Sequence, residues 1–165
     1  MDLKVKGYLE RAENELILAK ANFELSTKEE IKQILKISSG RTFFNDVISE
    51  SYYSIFYSAK AYLLSQNIET QAPEEHKKTY EEFKKLIELK RLNKQLKEIY
   101  ELESEKAETL LKIFFSEKRN RGRFTYDINA NANLPFAEQS IKNARIFASA
   151  IKSILENKQN EKTKN

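Results

Sequence analysis

The sequence predicts an all-α protein, an up-and-down bundle of four main helices with one or two short extra ones. Three observations carry that expectation. Only 3 glycines and 2 prolines occur in 165 residues, too few for the turns of a sheet protein. Charged residues make up 33% and hydrophobic residues 40% of the chain, a balance suited to long amphipathic helices. Apolar residues recur at steps of three and four over long stretches, the period of a buried helical face. The length suits one hydrophobic core and is short for two ordinary domains. Residues 1–157 therefore read as one domain and residues 158–165 as a frayed, lysine-rich tail.

The first helix is expected from about Leu3 to Leu25, because Val5, Tyr8, Leu9, Ala12, Leu16, Ala19 and Phe23 fall on one face. Ser26-Thr-Lys-Glu29 has the spacing of a capping box, opening a second, shorter helix that ends before Gly40. From Thr42 to about Gln66, Phe44, Val47, Ile48, Tyr52, Ile55, Ala59, Tyr62 and Leu63 keep helical spacing in the most apolar stretch of the chain. This is the expected central core helix. Pro73 marks a break, after which Glu74 to Leu89 and Leu92 to about Lys118 read as helical, joined near Arg91. Asn129-Ala-Asn-Ala-Asn133 reads as a polar loop whose last Asn caps a final helix. That helix buries Phe136, Ala144, Phe147, Ile151 and Leu155.

Composition excludes several chemistries. Without cysteine there is no disulfide, no thiolate metal site and no thiol nucleophile, as suits an intracellular protein. No run approaches the roughly 20 apolar residues of a membrane span, and the amino terminus lacks a signal-peptide core, so a cytoplasmic protein with no membrane contact is expected. Gly7, Gly40 and Gly122 are isolated, which leaves no phosphate loop or dinucleotide fingerprint. No cofactor is expected. The net charge of +4 permits an acidic partner without requiring one. Aromatic residues around Tyr52-Tyr53 and Phe114-Phe115 exceed what one small bundle needs inside, and a homodimer would bury the surplus. The alternative is tyrosines lying half in the core with wet hydroxyls.

The densest functional signal is Ser116-Glu-Lys-Arg-Asn-Arg-Gly-Arg-Phe-Thr-Tyr-Asp127. Arg119, Arg121 and Arg123, with Asn120 between them, offer planar forks of donors matched to phosphate oxygens. The competing reading is a C-terminal cap, since cations favour a last helical turn and Gly122 is a natural exit. His76 is the only histidine; it is either a polar residue opening a helix or an accessory proton carrier, if the fold brings it beside the arginines. Asp127 to Glu138 places oxygen donors at positions one, three, five and twelve of a calcium loop, but Ala132 stands where the sharp turn demands Gly. A capped linker accounts for it better, and no metal site is expected. The stretch from Lys77 to Lys97 mixes acids and bases like an ordinary solvated face.

Glu50-Ser-Tyr-Tyr-Ser-Ile-Phe-Tyr-Ser-Ala-Lys-Ala-Tyr-Leu-Leu64 resembles the Tyr-Tyr-containing central helix of prokaryotic HEPN domains, small helical bundles named from higher eukaryotes and prokaryotes nucleotide binding. Ile68-Glu-Thr before His76 is similar to that family's short loop and following histidine, with Phe83 where an aromatic commonly follows. The arginine segment fits the family in two registers. Arg119-Asn120 followed by Thr125-Tyr126 resembles the Arg-Asn, His, x, Tyr signature; Arg121 to Tyr126-Asp127 resembles the variant ending in Tyr-Asp. The likeness spans roughly Leu3 to Leu155.

The resemblance implies a symmetric dimer whose arginine motifs meet, and a metal-independent ribonuclease that uses the RNA's own 2′-hydroxyl. The motif histidine is replaced, by Phe124 in the first register or Tyr126 in the second, so activity is expected to be weak or absent. The expected catalytic residues are then Arg119, Arg121 and Tyr126, with RNA or nucleotide phosphate as ligand. The family's toxin and antitoxin pairs further imply a cognate nucleotidyltransferase that places AMP on a tyrosine, here Tyr126. The alternative is a catalytically silent interaction or scaffold bundle that docks a partner protein.

Overall fold

The computed structural model describes residues 1–88, 105–126 and 133–162. All regular structure among them is helical: α1 (Leu3–Thr27), α2 (Glu29–Ile34), α3 (Phe44–Ser65), α4 (Glu75–Glu88), α5 (Glu105–Tyr126) and α6 (Leu134–Lys162). The four long helices are α1, α3, α5 and α6, and the expected helical bundle is the observed one. Among the described residues, no helix is long and apolar enough to cross a membrane.

The α3 helix is the hub, packing against α1, α4, α5 and α6. Its sequence explains why. Val47, Ile48, Tyr52, Ile55, Ala59, Tyr62 and Leu63 are buried together with Ser51, Ser54 and Ser58, so apolar side chains and small ones cover nearly its whole circumference. A helix apolar or small on every side is stable only inside. The core it nucleates includes Phe83, Phe114 and Phe147. Their rings meet edge-on or tilted at 5.4 to 5.8 Å, tying α4, α5 and α6 together in the arrangement ring quadrupoles prefer. A smaller cluster of Ala19, Val47, Ala137 and Ile141 closes the other end.

Helix boundaries follow side-chain chemistry, and two depart from expectation. Asp2 caps α1 by accepting from the Lys4 and Val5 amides, and Asn133 caps α6 by accepting from the Phe136 amide at 3.4 Å. Ser26, however, does not open the second helix. Its hydroxyl donates to the Asn22 carbonyl at 2.7 Å and accepts from the Phe43 amide at 2.8 Å, so α1 runs on to Thr27 and the same serine pins the start of α3. The N-cap of α2 is Lys28, without a side-chain bond. The second departure concerns α5, which continues past Lys118 and through Gly122 to Tyr126. A mid-helix glycine costs about 1 kcal/mol; the anchoring of Arg121 on α3, described below, offsets it. The α6 helix likewise continues beyond Asn157 to Lys162.

The aromatic surplus is smaller than the sequence suggested. Tyr52 and Phe114 are fully buried inside the single chain, while Phe115 is 52% exposed. The lysine-rich stretch is the mixed solvated face expected as far as Glu88, with Lys77 paired to Glu74, Lys84 to Glu88 and Lys85 to Glu82. The loop at Asp127 to Ala132 and the connection near Arg91 lie outside the described residues.

Candidate functional site

Helical pitch splits α3 into two adjacent rows, Tyr52, Phe56 and Lys60 on one and Tyr53 and Tyr57 on the next. The first turn of α4 lies across them. Its position is fixed by a buried bond between the Thr70 and Thr79 hydroxyls, 2.7 Å apart, and by an ion pair between Lys60 and Glu75. His76 is thereby laid on the Phe56 ring, 4.2 Å between centroids, with Tyr52 and Tyr53 at 5.6 and 5.7 Å. His76 Nδ1 and the Tyr52 hydroxyl share a 2.9 Å hydrogen bond.

Arg121 reaches the same two tyrosines from α5. Its guanidinium carbon sits 4.8 Å from the Tyr53 centroid and 5.2 Å from that of Tyr52. One terminal nitrogen donates to the Tyr53 hydroxyl at 2.7 Å. Stacking on two rings plus a hydrogen bond holds the planar fork in one orientation. Lys118, one turn earlier, lies 5.0 Å over the Tyr80 ring. Burial pulls the His76 pKa below its ordinary 6.5, and the nearby charges of Arg121, Lys118 and Lys60 act in the same direction against Glu75. The imidazole is therefore neutral at pH 7, the form that accepts a proton.

The three arginines do not form one trap. Arg121 is half-buried against α3, whereas Arg119 and Arg123 are exposed, as a spacing of four on one flank and two across the helix requires. Asn120 belongs to a different assembly. It hydrogen-bonds the buried Glu117, which also accepts from Ser140 at 2.6 Å and Asn143 at 2.8 Å. Burial pushes the Glu117 carboxyl up, and these bonds hold it back. Asn120 thus helps join α5 to α6. Phe124 and Tyr126 lie on α5, but their side chains are outside the described residues, and so is the end of both motif registers.

Sequence reasoning singled out Arg121 and His76 separately; the fold joins them. Tyr52 and Tyr53, which connect the two, were visible as an aromatic pair but not as the surface on which both rest. Their i, i+4 companions Phe56 and Tyr57 were the available signal, since an aromatic row beside a helix entry is a ready platform for a cation and an imidazole. Among the described residues, no group of three or more His, Asp or Glu side chains is arranged to hold a metal ion. Comparison with protein-family models and with curated proteins finds no match.

Proposed function

We propose that the chain is a HEPN-like RNA-binding protein whose Arg121–His76 cluster engages a phosphodiester, with slow ribonuclease activity as its chemical capability. The observation that supports this reading is the convergence of a fixed guanidinium and a neutral imidazole on one tyrosine pair. An arginine suits the charge that develops on phosphate oxygens, and an imidazole suits proton transfer near neutral pH. In the tautomer whose Nδ1–H donates to Tyr52, the Nε2 lone pair is the base. It takes the proton of a 2′-hydroxyl as that oxygen attacks the adjacent phosphorus. The bond from phosphorus to the 5′-oxygen breaks, and the imidazolium returns its proton to the leaving oxygen. The products are a 2′,3′-cyclic phosphate and a 5′-hydroxyl. His76 takes the role that Phe124 cannot perform, from a different helix.

The test compares wild type, Arg121→Ala and His76→Ala on labelled single-stranded RNA with excess chelator, measuring binding by anisotropy and scoring cyclic-phosphate ends. Arg121→Ala should weaken binding and flatten its salt dependence, since one fewer counterion is released. His76→Ala should leave affinity nearly unchanged and reduce cleavage about 10² to 10⁴-fold, the usual worth of a general base. Wild-type cleavage should fall as pH drops through the His76 pKa, with its midpoint below the ordinary value of 6.5. Unchanged affinity and salt slope in Arg121→Ala would overturn the binding reading. Cleavage that survives loss of His76 would overturn the proton-transfer role and leave a binding module.

A further inference from the structure

The aromatic rows do not stop at Tyr53. Its ring stacks on Tyr57 at 6.1 Å and 24°, and Tyr57 stacks in turn on Tyr8 of α1 at 6.2 Å and 15°. Cations accompany each step. The Arg11 guanidinium lies 4.4 Å from the Tyr57 centroid and the Lys60 ammonium 4.7 Å from that of Tyr8. The three tyrosines are half-buried and Arg11 is exposed. From Arg121 to Tyr8, three helices contribute to one continuous ribbon of rings and cations, with Arg11 resting on its middle ring, Tyr57. Glu75 partners Lys60, and burial raises the Tyr57 pKa against the charge of Arg11, with the nearby Glu15 adding to the rise, so the ribbon is not uniformly basic. Its regularity lies in the alternation of flat rings with positive charge.

We propose that this ribbon is a track for single-stranded RNA, which carries the strand away from the Arg121–His76 cluster across Tyr53 to Tyr57, where Arg11 lies, and on to Tyr8. The proposal rests on the phosphate-binding reading above and extends it to a substrate class. A duplex keeps its bases stacked on each other, whereas a single strand presents open faces to aromatic rings and to the plane of an arginine. Arg11 lies on Tyr57 as a ready shelf, so little order is lost when a base covers its outer side. Its charge can also serve the next phosphate.

The experiment measures affinities of labelled oligouridylates of about three and about eight nucleotides, lengths that bracket the small end of known single-strand sites, alongside a blunt hairpin duplex. For wild type the longer oligomer should bind at least about tenfold tighter, the worth of one stacked base. Arg11→Ala and Tyr57→Leu should each abolish that gain and leave the trimer and hairpin unaffected. Arg11→Lys keeps the charge without the plane; it should restore the salt slope but not the gain with length. Because Arg11 is exposed on α1, its variants test the track even if Tyr57→Leu fails to fold. Absence of any length dependence in wild type, or an octamer affinity unchanged in Arg11→Ala while Arg121→Ala weakens both oligomers, overturns the track and spares the phosphate site. If Arg121→Ala also changes nothing, both readings fall. A change in sedimentation without a change in RNA affinity would identify the ribbon as a protein contact and overturn the track.

Discussion

Arg121 and Arg119 sit two residues apart yet differ in what truncation would remove. Arg121→Ala deletes a hydrogen bond to Tyr53 and a guanidinium resting on two rings, contacts worth together about 1 to 2 kcal/mol. Arg119 is exposed, and its truncation should cost less than about 0.5 kcal/mol. Chemical denaturation of the two variants checks the difference; equal midpoints would show that the Arg121 contacts contribute nothing. Glu50 offers a second test through pH. Burial raises its pKa from 4.5 to about 7; the amide of Asn22 opposes the rise, and the charges of Asp46 and Glu15 add to it. The folded state therefore binds the extra proton more tightly than the unfolded chain. The resulting stability is complete below pH 4.5 and is lost as pH rises to about 7. His76, with its pKa lowered, acts in the opposite direction and costs stability as pH falls below 6.5. Glu50→Gln removes the first effect alone. Its melting temperature should match wild type near pH 4.5 and exceed it by several degrees at pH 8, roughly what a change of 1 to 2 kcal/mol produces in a chain of this size. A constant offset at both pH values would show that Glu50 does not change its charge on this scale.

The C-terminal half of α5 is held by two side chains one turn apart, Arg121 reaching α3 and Glu117 reaching α6. Glu117 is fully buried and accepts from Ser140 and Asn143, so Glu117→Ala would leave those donors unpaired in the interior and open a cavity. Such changes cost about 3 kcal/mol or more. Hydrogen exchange should localise the loss, with amides of residues 112–121 gaining exchange more than those of α3. Uniform acceleration would mean that α5 has no separate stability. Glu117→Gln, which keeps an acceptor, should recover much of the protection. The sequence revealed most helices because periodicity and caps are local: Asn133 stands at the start of its helix as read, and α3 spans nearly the predicted stretch. It misled where one side chain has two possible partners. Ser26 matches a capping box, yet its hydroxyl bonds back to Asn22 and forward to Phe43, a choice decided by residues far along the chain. The arginine segment was legible only in part: Arg123 does stand in the last turn of α5, but the helix passes through Gly122 rather than ending there, and Arg121 is anchored on α3 by tertiary packing. The pairing of His76 with Arg121 was illegible for the same reason, since it depends on how α4 and α5 cross α3.

At the scale of the molecule, each chain encloses a complete core, because Tyr52, Phe83, Phe114 and Phe147 are all buried without a second copy. A dimer of such chains would dissociate on dilution into folded monomers, whereas a subunit with an open core would unfold. The outward row of α5 exposes Lys112, Phe115, Arg119 and Arg123 at spacings of three and four. A dimer built on that row would bring two Arg119 side chains close to the shared axis, as a composite site requires. Sedimentation at tens of micromolar, on the order of the concentrations at which moderate interfaces assemble, should detect it. Phe115→Glu replaces the one apolar side chain of the row with a charge and should yield a folded monomer whose melting temperature no longer depends on concentration. Its effect on RNA then separates two architectures. If the site is composite, affinity falls together with the dimer; if each protomer carries its own Arg121–His76 cluster and tyrosine ribbon, the monomer binds as tightly as before. A wild-type chain that sediments as a monomer throughout this range would remove the composite cleft and leave the cluster within one protomer as the sole seat of function.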